Sequence, residues 1–156
     1  MFRILCVGKL KEPAAKALCG EYQKRLSAYG GVEILEVADE KAPERLSDKQ
    51  RLSVLAAEGA RLSGRLSQGP VVALCIDGQR MDSLSFAEWL RGQEQNRGPL
   101  QFIIGGSLGL DQTLIQKADF CLSLSDMTFP HNFARLLLLE QLYRACKINR
   151  NETYHK

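Results

Sequence analysis

Leu100-Gln101-Phe102-Ile103-Ile104-Gly105-Gly106-Ser107-Leu108-Gly109 carries the strongest structural signal in this chain. Its first five residues are almost wholly apolar, which is typical of a strand that is buried on both faces of a sheet. The glycines that follow let the backbone turn sharply and let a ligand approach main-chain N–H groups. Asp111 comes next and can cap a helix that runs to about Ala118. The stretch therefore predicts a strand, a glycine loop and a helix, the order found in α/β sheets.

Strands and helices alternate on both sides of this stretch. Short apolar runs predict four more strands, at residues 3–7, 32–37, 71–76 and 120–124. An Asp77-Gly78 turn is expected to end the third of them. Helical spacing and end signals predict four more helices, at residues 13–29, at 48–66, from a capping box at 85–88, and at 133–147. Because most of the strands are too apolar to have a face in water, the pattern predicts an α/β fold with a mainly parallel sheet and helices on both faces.

Apolar residues fall on one face of each of the first two helices. The spacing predicts two buried stripes, which are Ala15, Leu18, Tyr22, Leu26 and Tyr29 in the first helix and Leu52, Leu55, Gly59, Leu62 and Leu66 in the second. The last helix is apolar nearly all round, with leucines at positions 136–139 and 142. A terminal helix of this kind must be buried on more than one side, and a second copy of the chain can bury it. We therefore expect a homodimer.

The composition is that of an ordinary globular protein. The 156 residues are 45% hydrophobic and 25% charged with a formal net charge of +3, and the length predicts a single domain over residues 1–156. The apolar runs are too short to span a bilayer and the first residues do not form a signal peptide, so we expect no membrane partner. Five cysteines without a CxxC pair indicate reduced thiols in a cytoplasmic protein. The scattered cysteines and two histidines also lack the spacing of a metal site.

The glycine loop has two functional interpretations besides that of a plain tight turn. It follows the carboxyl end of a strand, which is where ligands bind in open α/β sheets, although it is neither a P-loop nor a GxGxxG motif. The same residues also spell G-x-S-x-G, with Ser107 at the nucleophile position of a serine hydrolase. Asp119 or Asp126 and then His131 or His155 follow in the hydrolase order. The short chain and the lack of an HGGG-like segment argue against that second interpretation.

Two further segments could carry chemistry. Residues 123–131 join a strand to the last helix, and they offer main-chain polar groups and apolar side chains to a flat heterocycle. The same segment also suits a simple helix lead-in. Residues 144–156 carry five basic side chains around one aromatic ring, Tyr154. Cations can neutralise phosphates and a ring can stack on a base, but a solvated tail explains the same composition.

Several short motifs occur together in a fixed order along the chain. They are Phe102-Ile103-Ile104-Gly105-Gly106, Ser123-Leu124-Ser125, Thr128-Phe129-Pro130-His131, Glu140-Gln141-Leu142-Tyr143-Arg144-Ala145 and Tyr154-His155. With the opening strand and Gly8, this set resembles the RlmH family of bacterial ribosomal RNA methyltransferases, within the SPOUT superfamily. The resemblance covers essentially the whole chain.

The resemblance implies an α/β fold with a C-terminal trefoil knot, and a homodimer with the cofactor pocket near the subunit interface. The implied activity is methyl transfer from S-adenosylmethionine to N3 of a pseudouridine in 23S rRNA, on the assembled ribosome and without a metal. The implied cofactor site comprises Leu74, Gly105, Gly106, Gly109, Ser125, Asp126, Met127, Thr128, Phe129 and Pro130. The resemblance also implies that four residues contact RNA, namely His131, Arg135, Tyr143 and Tyr154.

The implied chemistry makes modest demands on the protein, because a sulfonium is already an activated methyl donor. We expect His155, or a water that it orients, to take the N3 proton, while Arg144 and Lys156 stabilise the developing negative charge. Two departures from the family pattern bear on this. Ser107-Leu108 replaces a usual Pro-Glu pair, and the ending Asn-Glu-Thr-Tyr-His-Lys stands where NHPYHR is usual. A non-catalytic ribosome-binding module therefore stays open beside the serine hydrolase.

Overall fold

Five strands and five α-helices alternate within residues 1–41 and 43–154, which are the residues that the computed structural model describes. The strands are β1 (Phe2–Val7), β2 (Val32–Val37), β3 (Val71–Arg80), β4 (Leu100–Ile104) and β5 (Phe120–Ser123). The helices are α1 (Pro13–Leu26), α2 (Asp48–Ser63), α3 (Ser83–Gly92), α4 (Gln112–Lys117) and α5 (His131–Asn149). Every predicted strand and helix is present.

The strands form one sheet in the order β2-β1-β4-β3-β5, and each neighbouring pair is parallel. Ile4 of β1 pairs with Ile34 of β2 on one side and with Phe102 of β4 on the other. The predicted α/β fold with a mainly parallel sheet is therefore confirmed. Because parallel strands end at the same edge of a sheet, the loops that follow β1, β3, β4 and β5 meet at one edge, called the C-terminal edge below.

Alternate residues of each strand point to opposite faces of the sheet, and helices cover both faces. Ile4 and Phe102 pack in one apolar cluster with residues of α1, α3 and α5. Leu5 and Ile103, their neighbours along the chain, pack in a second cluster with leucines of α2 and α4. Full burial of such a side chain stabilises the fold by about 1.5–3 kcal/mol. Helices on both faces are thus confirmed, while the C-terminal trefoil knot stays a prediction.

Strand β3 is longer than predicted and interrupted in register. Leu74 and Gln79 both pair with Leu122 of β5, so the intervening residues loop out and the strand then rejoins the sheet. A Cβ atom on Gly78 would lie 2.6 Å from the carbonyl carbon of Leu122, so glycine is needed for this close approach. The prediction that an Asp77-Gly78 turn ends this strand is therefore wrong, because these residues form an irregularity within β3.

Helix ends also differ from the predicted ones. The carboxylate of Asp82 accepts a hydrogen bond of 2.7 Å from the N–H of Ser85, and α3 begins directly after Asp82. The capping box predicted at 85–88 is therefore wrong, because an earlier carboxylate takes the capping position. Helix α1 ends at Leu26 and continues as a 3₁₀ turn over Ser27–Tyr29. Helix α5 begins two residues earlier than predicted, at His131.

The buried face of α2 overlaps the predicted stripe only in part, because Gly59 and Leu62 are buried as predicted. Leu52 is 66% exposed, whereas Val54, Glu58 and Leu62 are buried. These three residues follow one another at intervals of four, so they form a single face of the helix turned towards the sheet. In α1, Leu18 is likewise half exposed and Cys19 is buried in its place. Where α2 covers the sheet, it therefore buries the carboxylate of Glu58 among its apolar residues.

Candidate functional site

The three chain segments of the predicted cofactor site lie along the C-terminal edge. Strands β4, β3 and β5 are neighbours in the sheet. The glycine loop, residues 105–109, follows β4, and the loop of residues 124–130 follows β5. Leu74 lies in β3 between them, paired in register with Leu122 of β5. The sheet topology thus brings these three segments to the same edge, although they are far apart in the sequence.

The glycine loop is a tight turn that closes against the end of the sheet. The N–H of Gly109 donates to the carbonyl oxygen of Gly106 over 3.1 Å, and Gly109 has a φ of +88°. A Cβ on Gly105 would overlap the main chain of Gly109. A Cβ on Gly106 would lie 3.0 Å from a methyl carbon of Val7 and 3.1 Å from Oε2 of Glu58. Glycine at these positions lets the loop lie directly on β1 and α2.

Glu58 is a carboxylate that the sequence interpretation missed. It lies beneath the glycine loop and is only 5% exposed. Its Oε1 accepts a hydrogen bond of 2.9 Å from the N–H of Glu40, in the segment after β2. Burial raises the pKa of the Glu58 carboxyl above its usual value, and the nearby negative charge of Asp39 adds to that rise. Only its position on the i, i+4 face of Val54 and Leu62 could have indicated burial.

The loop after β5 is held by hydrogen bonds to its own residues. The hydroxyl of Ser123 donates to the carbonyl oxygen of Ser125 over 3.1 Å, and the Ser125 hydroxyl accepts from the N–H of Met127 over 3.0 Å. Asp126 is paired with Arg80 at the end of β3 over 2.7 Å. A cavity of about 430 Å³ lies beside this pair, lined by Arg80–Asp82 and residues 123–126. Thr128, Phe129 and Pro130 complete the loop and are exposed.

His131 and Arg135 lie in the first turns of α5, beside the end of β1. A Cβ on Gly8 would be 3.4 Å from Nε2 of His131. Burial lowers the pKa of the His131 imidazole, and the adjacent Arg135 cation lowers it further. The guanidinium of Arg135 donates to Glu36 over 2.6 Å and to the carbonyl oxygen of Gly8 over 3.2 Å. His131 therefore borders the C-terminal edge mainly as a neutral ring near pH 7.

The predicted RNA contact of Arg135 disagrees with this placement. The Arg135 side chain is 2% exposed and ion-paired with Glu36. A buried guanidinium that already has a carboxylate partner is not available to a phosphate. Arg135 instead ties the start of α5 to strands β1 and β2.

Arg144, Tyr143 and Tyr154 form a second cluster, called the tail cluster below. The Arg144 guanidinium lies over the Tyr154 ring, 4.8 Å from its centroid, and the rings of Tyr143 and Tyr154 meet edge to face at 4.9 Å. Glu140, which the sequence interpretation did not single out, accepts from Arg144 over 3.0 Å and from the Tyr154 hydroxyl over 3.3 Å. Burial raises the pKa of the Tyr154 phenol, and hydrogen bonds to Tyr22 and Glu140 add to that rise.

The tail cluster is remote from the C-terminal edge within one chain. Helix α5 begins at His131, next to that edge, and Arg144 lies about 20 Å further along its axis. The tail folds back onto α5, with Glu152 accepting from Tyr29 and Lys147 over 2.6 Å each. His155 and Lys156 lie outside the described residues. A single chain thus keeps Arg144 and Tyr154 apart from the predicted cofactor loops.

Comparison with known proteins places this arrangement in a family. The family model described as "Predicted SPOUT methyltransferase" matches residues 1–155. The chain belongs to the SPOUT methyltransferase family. Among curated relatives, the chain is 50% identical to "Ribosomal RNA large subunit methyltransferase H" of Ruminiclostridium cellulolyticum and 48% identical to the protein of that name in Bacillus cereus. In both comparisons 98% of this chain and 98% of the relative are covered.

The fold is also similar to that of a solved structure. A probable methylase family protein from Haemophilus influenzae superposes on 99% of this chain with a TM-score of 0.55, and 70% of that protein is covered. Its sequence is 13% identical to this one, so the likeness concerns the fold alone.

The environment of Ser107 does not support the serine hydrolase interpretation. Ser107 is exposed at the tip of the glycine loop, and its hydroxyl forms no hydrogen bond to a histidine or an acid within residues 1–41 and 43–154. Asp119 accepts from the N–H of Val71 over 2.8 Å, and Asp126 is paired with Arg80. Both candidate acids therefore serve other partners in this SPOUT methyltransferase.

The glycine loop at the C-terminal edge suits the binding of a methyl donor in one respect. At Gly105 and Gly106 the loop presents only main chain, and Cβ atoms at these two positions would have no free space on the protein side. Within the described part of the chain, no group of three histidine, cysteine or acidic side chains is arranged to hold a metal ion. The same residues include no helix that is long and apolar enough to cross a membrane.

Proposed function

We propose that this chain methylates ribosomal RNA of the large subunit, with S-adenosylmethionine as methyl donor. The observation that carries the proposal is the identity of 47–50% over 98% of both chains to relatives named "Ribosomal RNA large subunit methyltransferase H". The similarity extends over nearly the whole of both chains. The finer proposal is that the acceptor is N3 of a pseudouridine in 23S rRNA on the assembled ribosome, in the cytoplasm.

The proposed methyl-donor site is the C-terminal edge of the sheet. Leu74, the glycine loop with Gly105, Gly106 and Gly109, and residues 125–130 would hold the donor there. When bound, the donor supplies a sulfonium whose methyl carbon is open to in-line attack. The glycine loop contributes main-chain contacts, and the loop after β5 contributes Met127 and Phe129 for the faces of a heterocycle. The sheet topology supports this proposal because it gathers the three segments at one edge.

The proposed RNA-facing groups are His131 at the edge and Tyr143 and Tyr154 in the tail cluster. Arg144 would stabilise negative charge on the base as the N3 proton leaves, and Lys156 would assist it. His155 would accept that proton, directly or through water. The Tyr154 phenol is uncharged at physiological pH, so its contribution would be stacking rather than charge. Arg135 takes no part in RNA contact in this proposal.

We infer that the working form is a homodimer. Two observations support it. Arg144 lies about 20 Å along α5 from the edge that would hold the donor, so the tail of a second copy could reach a site that its own chain cannot. Met127, Phe129 and Phe133 are large apolar residues exposed around the start of α5, where a second chain would cover them.

The first test is a calorimetric titration of the purified protein with S-adenosylmethionine, without added metal. Saturable binding is expected, and Gly106→Trp should abolish it because the added ring overlaps Val7 and Glu58. Gly92→Ala is the matched control, since a Cβ at Gly92 meets nothing within 4 Å. Failure of the unaltered protein to bind, both free and with ribosomes present, would refute the methyl-donor proposal.

The second test measures methyl transfer to ribosomes that lack the modification. Radiolabelled methyl incorporation into 23S rRNA, located by mass spectrometry, should show N3-methylpseudouridine. Donor binding without transfer would instead support the non-catalytic module. Labelling of Ser107 by a fluorophosphonate probe would revive the hydrolase.

The dimer is tested by mixing two inactive variants. Gly106→Trp removes the donor site of its own chain, and Arg144→Ala removes the tail contribution of its own chain. If each site combines the edge of one copy with the tail of the other, mixed dimers regain about half the activity per dimer. If one chain supplies both parts, the mixture stays inactive, which would refute the shared site.

A further inference from the structure

Glu58 has a carboxylate oxygen that no described residue hydrogen-bonds. Oε1 accepts from the N–H of Glu40, but Oε2 is buried and has no hydrogen bond within residues 1–41 and 43–154. The rest of the buried face of α2 is apolar or glycine, with Val54, Gly59 and Leu62. A buried polar atom without a partner destabilises a fold, so such an atom in a native structure calls for an explanation.

The position of the Glu58 carboxylate connects it to the proposed donor site. Oε2 would lie 3.1 Å from a Cβ on Gly106, so the carboxylate is in direct contact with the underside of the glycine loop. The opposite side of that loop faces the C-terminal edge. Only the main chain of the loop would therefore lie between the carboxylate and a donor bound there. At such a distance a buried charge has a strong electrostatic effect.

The charges that surround Glu58 are mostly negative. Asp39 and Glu40 approach it from the segment after β2, and Arg61 approaches from its own helix. The Arg61 guanidinium is paired with Glu40 and donates to the carbonyl oxygen of Ala38 over 3.0 Å. Val7 of β1 and Gly106 of the loop complete the contacts and bring no charge. The positive charge of Arg61 still lowers the pKa of Glu58, but the hydrogen bonds of its guanidinium go to Glu40 and Ala38 and not to the Glu58 carboxylate.

We propose that Glu58 is a positioning residue whose buried carboxylate, beneath Gly106, favours a positively charged sulfonium donor over the neutral thioether product. The proposal rests on the proposed function, because it assumes that the donor binds over the glycine loop. Donor and product share an adenosyl group, an ammonium and a carboxylate, and they differ at sulfur by one methyl group and one positive charge. A negative charge under the loop therefore favours binding of the charged donor over binding of the neutral product. The weaker binding of the product helps its release after each transfer.

Glu58→Gln keeps the shape of the side chain and the acceptor for the N–H of Glu40, and it removes the charge. We expect the ratio of the dissociation constants of S-adenosylhomocysteine and S-adenosylmethionine to fall on the order of tenfold, as for unit charges roughly 10 Å apart at an effective dielectric constant of about 20. Glu88→Gln is the matched control. It also removes one acidic charge, from an exposed position on α3 beside Arg91.

The pH dependence gives an independent measurement on the unaltered protein. Because burial raises the pKa of Glu58, its carboxyl group loses its proton at a higher pH than an unperturbed carboxyl group does. Affinity for the cationic donor should therefore increase as the pH is raised through the titration of Glu58, whereas affinity for the neutral product should change little. This measurement needs no variant, so it remains decisive if Glu58→Gln does not fold.

Three outcomes would overturn the inference. Equal loss of both ligands in Glu58→Gln would assign the carboxylate a purely structural role. Unchanged binding of both ligands, or an identical pH dependence for both, would show that its charge does not reach the site. If the unaltered protein binds neither ligand, the proposed function itself fails, which is distinct from the first two results because those require binding.

Discussion

Glu36→Gln is expected to destabilise the fold more than Arg135→Met, although arginine is the larger side chain. The two residues form an ion pair of 2.6 Å in which the Arg135 side chain is 2% exposed and the Glu36 side chain is 30% exposed. Removal of the carboxylate charge leaves a cation in the interior without a counter-charge. Removal of the cation leaves a carboxylate that water can reach and that still accepts from the N–H of Leu10 over 2.9 Å.

The expected magnitudes follow from this asymmetry. Leaving a buried charge without its partner costs about 3–5 kcal/mol, and the amide oxygen introduced by Glu36→Gln can still accept hydrogen bonds, so we expect about 3 kcal/mol for this variant. Arg135→Met keeps most of the apolar volume and loses the hydrogen bond to the Gly8 carbonyl oxygen, which costs about 1–2 kcal/mol. The double variant should cost less than the sum, because it leaves no unpaired charge.

The assay is urea unfolding of the three variants at one protein concentration, because the proposed dimer would make stability depend on concentration. A cost for Arg135→Met equal to or above that for Glu36→Gln would refute the reasoning.

The dependence of stability on pH in the acid range gives a second check. Burial alone raises the pKa of Glu36, but hydrogen bonds from Leu10 and Arg135 outweigh it and lower the pKa below its usual value of 4.5. Its stabilising contribution is therefore present above pH 4.5 and lost as the pH falls, so the unaltered protein should lose stability in acid more steeply than Glu36→Gln.

Three further outcomes are expected. Gly105→Ala should abolish donor binding in calorimetry, because its Cβ overlaps the main chain of the same loop, whereas Gly92→Ala should bind normally. Gln101→Leu should lower stability by about 2 kcal/mol in urea unfolding, because the fully buried Gln101 amide exchanges hydrogen bonds of 2.8–2.9 Å with the main chain of Ser67; an unchanged midpoint would contradict this. Burial raises the pKa of the Cys6 thiol to about 12, so iodoacetamide near pH 7 should label it, by mass spectrometry, in urea but not in the folded protein.

The alternation of apolar runs and glycine signals was enough to predict all five strands, all five helices and the parallel sheet. The periodicity of apolar residues is a local property of the sequence. A strand that is buried at every residue, such as Leu100–Ile104, needs an almost unbroken apolar run. The short motifs were enough to indicate the methyltransferase family, because they occur together in a fixed order over essentially the whole chain. The candidate loops at 105–109 and 124–130 follow from the same local signals.

Only the tertiary structure decided which residues meet. The strand order places β2 beside β1, and the start of α5 brings Arg135 to Glu36 there, so a residue that was predicted to contact RNA forms an interior ion pair. The same packing put Glu58 under the glycine loop and brought the Tyr154 hydroxyl to Glu140. It also returned β3 to the sheet beyond Gly78. Local sequence reports how strongly a residue prefers to be buried, but the partner of a buried charge comes from a distant segment, and the free energy of that pairing depends on a geometry that no local pattern contains.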